Sequence, residues 1–214
     1  MSNLMFFLNV IGTAAFSISG ALTAIRKELD FLGVIILGTI TAVGGGIMRD
    51  ILVGKLPPDA FVDPIYAAIG CLTAMGVFFY VYFHLRGYRK IWGIGFQKIV
   101  LYADTIGLAV FSVLGVQVGF DVGEGSNCFL TVFLGTITGV GGGLLRDILA
   151  GDKPYILCKH VYACASMAGA LTCTLLWNII GKETSIIISV VIVILIRLLA
   201  IHYKWNLPRI KNEY

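Results

Sequence analysis

The sequence predicts an all-α membrane protein. It reads as seven transmembrane helices forming two inverted three-helix repeats plus one unpaired helix, with spans 2 and 5 broken at triple glycines. Three observations carry this reading. Hydrophobic residues fill 58% of the 214 positions against 13% charged, and a mean hydropathy of +0.91 lies outside the soluble range. The apolar sequence falls into seven stretches, each near the roughly 20 residues that cross a hydrocarbon core. One segment also occurs twice, as LGTITAVGGGIMRDILVG at 37–54 and LGTITGVGGGLLRDILAG at 134–151.

The spans run, in order, about 4–25, 31–55, 62–84, 96–119, 127–151, 159–180 and 185–203. The first follows an N-terminus without the basic region of a secretory signal, so it is expected to be retained as a span. The breaks IRKELD, GKLPPD, HLRGYRK, DVGEGSN, GDKPY and GKET are short and mostly carry the Gly, Pro and charge that mark turns. The repeat extends into the neighbouring spans. NVIGTAAFSISG at 9–20 matches DTIGLAVFSVLG at 104–115, with Asn9 over Asp104 and Phe16-Ser17 over Phe111-Ser112, and IYAAIGCLTA at 65–74 matches VYACASMAGA at 161–170. Each repeat therefore holds three spans. Because three is odd, the second copy must enter the membrane from the opposite side. The organisation expected is residues 1–90 for the first repeat, 91–181 for the second, and 182–214 for the seventh span and tail.

Lysines and arginines near span ends set the orientation. One side collects Arg26, Lys27, Arg86, Arg89, Lys90, Lys153, Lys159, Lys204, Arg209 and Lys211, and the other little beyond Lys55 and Lys182. The first side is expected to be cytoplasmic, with the N-terminus outside (or in an organelle lumen) and the C-terminus inside.

Glycine costs about 1 kcal/mol against alanine inside a helix, and ionisable groups at membrane depth usually pair within the bundle or line a cavity. Gly44, Gly45, Gly46 and Gly141, Gly142, Gly143 have a packing reading, since small residues let helices approach closely. Three in succession at equivalent points of an inverted repeat instead predict broken helices lining a permeation path near the midplane. Arg49-Asp50 and Arg146-Asp147 follow the glycines. Neighbours i and i+1 do not face each other on a helix, so the expectation is cross-repeat pairing, Arg49 with Asp147 and Arg146 with Asp50; the alternative is arginines that snorkel outward. Asp104 either caps the fourth span or stands at a pore mouth. Ser17, Ser112, Thr41 and Thr138 recur at matched phase and either face the path or bond back to their own helices. His84, His160 and His202, at span ends, read as interfacial.

Several classes are set aside. The five cysteines are odd in number, lack C-x-x-C spacing and mostly sit in apolar runs, so they read as packing residues. No basic cluster is interleaved with aromatics as nucleic acid would require. Neither triple glycine is followed by the Lys-Ser/Thr of a phosphate loop, no enzyme constellation appears, and neither a cofactor nor a resident metal is expected.

The doubled GGG-x-x-RD element, the matched Phe-Ser-x-x-Gly and the three-plus-three-plus-one layout resemble the prokaryotic trimeric intracellular cation (TRIC) channels. The resemblance covers nearly the whole chain. It implies a homotrimer in membrane lipid, each subunit holding its own pore walled by spans 1, 2, 4 and 5, hinged at the triple glycines and passing monovalent cations such as K⁺ and Na⁺. Animal members carry a Lys-Glu motif tied to lipid binding in the second repeat; this chain reads GFDVGEG there and has Lys27-Glu28 in the first repeat, so that site is not carried over. The rival reading is a secondary transporter of a small solute such as glycine, since inverted repeats with midplane sites are also carrier architecture.

Overall fold

The computed structural model describes residues 3–84, 95–158 and 161–205. Among them lie seven helices long and apolar enough to cross a membrane. They are α1 (Asn3–Arg26), α2 (Phe31–Leu52), α4 (Ile65–His84), α5 (Gly95–Asp121), α6 (Cys128–Leu149), α8 (Tyr162–Ile180) and α9 (Lys182–His202). Two single-turn helices, α3 (Asp59–Val62) and α7 (Tyr155–Cys158), follow α2 and α6. Arg86, Gly87, Arg89, Lys90, Lys159, His160, Arg209 and Lys211 lie outside the described residues, as does the expected boundary at 90/91.

Matched local chemistry builds the two halves. Asp30 caps α2 by accepting from the Gly33 amide at 2.7 Å, and Asn127 caps α6 by accepting from the Leu130 amide at 3.1 Å. Helix α1 ends on Glu28 at φ +59°, with Leu29 N donating to Ala24 O, and α5 ends on Gly123 at φ +86°, with Glu124 N donating to Gly119 O. These are the same six-to-one closures that satisfy the last carbonyls of a helix. Helices α2 and α6 end on Gly54 and Gly151, at φ +71° and +68°. Such agreement in turn geometry reflects matched folding instructions, not only matched hydropathy.

Helices α1, α2 and α4 pack on one another, as do α5, α6 and α8, and the two triples meet along α1–α5 and α2–α6. Helix α9 packs against α8 and α5. Helix α5 is the most enclosed and α4 the least. A large apolar side chain turned outward on α4, such as Leu72 or Phe83, faces a medium as apolar as itself.

Candidate functional site

The site lies where α2 crosses α6. Both helices run unbroken through their glycines, which corrects the expectation of broken spans. In hydrocarbon each freed amide and carbonyl would go without water, at several kcal/mol apiece, far more than glycine's propensity cost. What the glycines permit is contact. A methyl added at Gly45 would overlap the Thr138 carbonyl oxygen, and one at Gly142 the Thr41 carbonyl; one at Gly141 would stand 3.0 Å from the Gly45 Cα. The two backbones thus touch at the repeat interface, as small residues allow.

The matched hydroxyls are buried between helices. Thr41 and Thr138 each donate to the carbonyl four residues back, Leu37 and Leu134, at 2.6 Å. Ser17 donates across to the Gly70 carbonyl on α4 at 2.6 Å. Ser112 donates to the Leu108 carbonyl at 2.7 Å and shares a 2.6 Å bond with Ser166 on α8. None of the four lines the cavity described below.

Beside the glycine crossing, Phe16 and Phe111 stack with centroids 5.2 Å apart. Each lies against the glycine of the opposite repeat, Phe111 over Gly12 and Phe16 over Gly107. The sequence carries both phenylalanines and both glycines at matched positions, a signal that marks the repeat without revealing that the rings meet.

On the first-repeat side of this stack is a cavity of about 260 Å³. Asn9 and Thr13 of α1, Gly46, Arg49 and Asp50 of α2, Asp59 and Asp63, Tyr66 of α4 and Phe111 of α5 all contribute to its wall. Exposed Val62 and Asp63 form its rim. Arg49 does not reach Asp147. Its Nε and Nη2 donate to Oδ1 of adjacent Asp50 at 2.9 and 2.7 Å, while Asp50 Oδ2 accepts from the Asp59 amide at 2.9 Å and fixes the start of α3.

The second repeat repeats these bonds but is sealed. Arg146 Nε donates to Asp147 Oδ1 at 2.9 Å, and Asp147 Oδ2 accepts from the Tyr155 amide at 2.8 Å, at the start of α7. Cross-repeat pairing is therefore corrected at both places. A long guanidinium near a helix end folds back to its neighbour, and the spare carboxylate oxygen satisfies the next turn's amide. Arg146 has two further partners: Nη1 donates to Asp104 Oδ1 at 2.6 Å and to Ser19 Oγ, on α1 of the other repeat, at 2.5 Å. Asp104, fully buried and well inside α5, is neither a helix cap nor a mouth residue. Tyr162 lies beside this cluster, its ring 4.8 Å from the Arg197 guanidinium carbon, which α9 brings in. Sequence reading passed over Ser19, Tyr162 and Arg197; a buried-phase arginine in the seventh span was the available signal for the last. Among the described residues no group of His, Cys, Asp and Glu could hold a metal ion.

Fold and site together define a class: an integral membrane protein in which a doubled three-helix unit holds a cavity with charged residues in its wall beside a glycine-lined crossing. The family model described as "Glycine transporter" matches residues 6–83 and again 101–178, once in each half. The chain belongs to this family, whose members of known structure among its neighbours are TRIC channels. It is 36% identical over 208 residues to the UPF0126 inner membrane protein YadS of Escherichia coli K12, covering 96% of this chain and 95% of the relative. It is 33% identical over 201 residues to the UPF0126 membrane protein YvgT of Bacillus subtilis, covering 94% of each. Among solved structures, a chain from work on conductance through TRIC cation channels aligns at TM-score 0.83 and 37% identity, covering 97% of this chain and 98% of that one. The TRIC trimeric intracellular cation channel orthologue from Rhodobacter sphaeroides aligns at TM-score 0.83 and 29% identity, over 95% and 100%. A prokaryotic TRIC channel aligns at TM-score 0.86 and 31%, over 97% and 100%.

Proposed function

We propose that the protein is a monovalent cation channel, permeable to K⁺ and Na⁺, assembling as a homotrimer with one pore inside each subunit. The observation that carries this is the first-repeat cavity, a recess within one chain that has charged residues in its wall and ends against the Phe16–Phe111 stack and glycine crossing. Its wall holds three carboxylates against one guanidinium. Lys55, 2.7 Å from Asp59, offsets part of that excess, and the remainder favours cations, since an acidic cleft with low-dielectric walls concentrates them. The pore runs among α1, α2, α5 and α6, with residues 1–90 and 91–181 as its two halves and 182–214 as an added helix and tail. The triple glycines act as the closest approach of the two halves, about which α2 and α6 move. Ser17, Ser112, Thr41 and Thr138 hold the walls through their carbonyl bonds, Arg49-Asp50 and Arg146-Asp147 set the charge at either end, and buried Asp104 holds Arg146 in place. The cavity faces outside and the Arg26 end the cytoplasm of a bacterial inner membrane, as the lysine and arginine bias supports.

The test is cation flux into liposomes through protein bearing Gly46→Cys in a cysteine-free background. A positively charged methanethiosulfonate should block flux at Gly46→Cys and spare it at outward-facing Leu72→Cys. Equal block at both positions, or none at either, would remove the cavity from the path. The description of the matching family favours a second reading, a glycine carrier. Saturable glycine uptake that competes with unlabelled glycine would support it.

A further inference from the structure

The two repeats agree down to their turns but exchange charge at their ends. Arg26 closes α1 and Asp121 closes α5, each two residues before the left-handed Glu28 or Gly123. Lys55 and Asp152 directly follow the left-handed Gly54 and Gly151. The contact between the end of α1 and the loop after α6 thus has a counterpart between the end of α5 and the loop after α2. In one the pair is Arg26 with Asp152; in the other it is Asp121 with Lys55, opposite in sign and equally attractive.

Only one of these pairs is made. Arg26 Nη2 lies 2.7 Å and Lys27 Nζ 2.5 Å from the Asp152 carboxylate. Lys55 turns instead to Asp59 at 2.7 Å, and Asp121 accepts from the Gln117 amide at 3.1 Å, with Lys182 4.0 Å away. The interior follows the same division. In the second repeat, below the made pair, Arg146 is sealed between Ser19 and Asp104; in the first, below the unmade pair, lies the 260 Å³ cavity.

We propose that Arg26/Lys27–Asp152 and Lys55–Asp121 are conjugate latches, each closing one mouth and at most one made at a time, with the pore conducting when neither is made. The structure is the state with the second-repeat mouth latched and the first open. In the other closed state Lys55 leaves Asp59 for Asp121, the first mouth closes, and Asp152 is released. This rests on the cavity being the path of permeation. The Arg26 and Asp152 side chains are 34% and 30% exposed, so each latch biases the equilibrium only a few-fold, which leaves the exchange reversible. Inverted repeats supply two states related by swapping the conformations of their halves, and a ligand or field acts by shifting their populations.

The test uses the full chain, cysteine-free, in liposomes. Arg26→Cys, Asp152→Cys, Lys55→Cys and Asp121→Cys are combined and treated with a short bifunctional methanethiosulfonate, and bridges are mapped by mass spectrometry. Each molecule should carry one bridge or the other, with both together at least tenfold rarer than independent bridging predicts. Co-occurrence at the independent frequency, or a 55–121 bridge that never forms, overturns the proposal. A second variant keeps the remaining charges native. With cysteines only at 55 and 121, adding Asp152→Lys should raise bridging two- to fivefold, and an unchanged yield refutes the coupling. Bridging is scored without transport. Exclusive bridging in a protein that passes no cation rejects the channel alone, and flux with independent bridging rejects the latches alone.

Discussion

Asp104→Asn installs in the second repeat the side-chain type that the first carries as Asn9, and the structure sets the cost. Arg146 would keep Asp147 at 2.8 Å and Ser19 at 2.5 Å, so its charge is not stranded. What disappears is one charge-assisted bond to a fully buried carboxylate, about 1.5–3 kcal/mol. Arg146→Gln is harsher. It leaves two buried carboxylates without this guanidinium, and breaking a buried pair from one side costs about 3–5 kcal/mol. For a chain of this size each kcal/mol lowers the melting midpoint by about 2–4 °C, giving falls of about 3–12 °C and 6–20 °C. The assay is thermal melting of the detergent-solubilised protein, followed by size-exclusion fluorescence. In the double variant no guanidinium stands opposite the asparagine, so the combined loss should fall short of the sum by about 1 kcal/mol or more. Arg49→Gln should cost less than Arg146→Gln, because Arg49 pairs with one carboxylate and Arg146 with two. Additivity within about 0.5 kcal/mol, or equal losses at Arg49 and Arg146, would refute the account of the sealed cluster.

Gly142→Ala should destabilise strongly, since the added methyl meets a backbone carbonyl that cannot step aside; loss of monodisperse protein on size exclusion is the expected result. Gly143→Ala crowds the Tyr162 hydroxyl at 2.8 Å, whereas its counterpart Gly46→Ala meets only the Arg49 guanidinium at 3.7 Å, so melting should fall by several degrees more for Gly143. Phe16→Ala removes half of the central stack. It should lower stability by about 3–5 kcal/mol while raising cation flux, and unchanged flux in folded protein would show that the rings do not obstruct the path. Single cysteines at Gly87 and Gly123 should label from opposite faces of the membrane, and labelling from one face would exclude inverted halves.

Seven helices and their limits were legible because a span is written as length and hydropathy, and the doubled segment announces a doubled unit. The places where sequence reading failed are those where tertiary context decides. Gly44–Gly46 carries a low helix propensity that read as a break, yet without water the backbone has nowhere else to bond, so the helix persists and the glycines become a contact surface. Arg49 and Asp50 point apart on an ideal helix wheel, but a flexible guanidinium near a helix end reaches back, a freedom no periodicity encodes. Asp104 was visible as an odd carboxylate opposite Asn9. That it meets Arg146 and Ser19 depends on how α1, α5 and α6 pack, which spacing along the chain does not reveal.

A planar-bilayer recording of the purified protein in symmetrical KCl asks whether cations pass through a pore inside each subunit. A pore in each subunit should give unitary K⁺ current steps. A methanethiosulfonate acting on Gly46→Cys should remove those steps in three equal decrements, one per modified subunit. Saturable flux without unitary steps would contradict a channel, and loss of all current at the first modification would contradict a separate pore in each subunit.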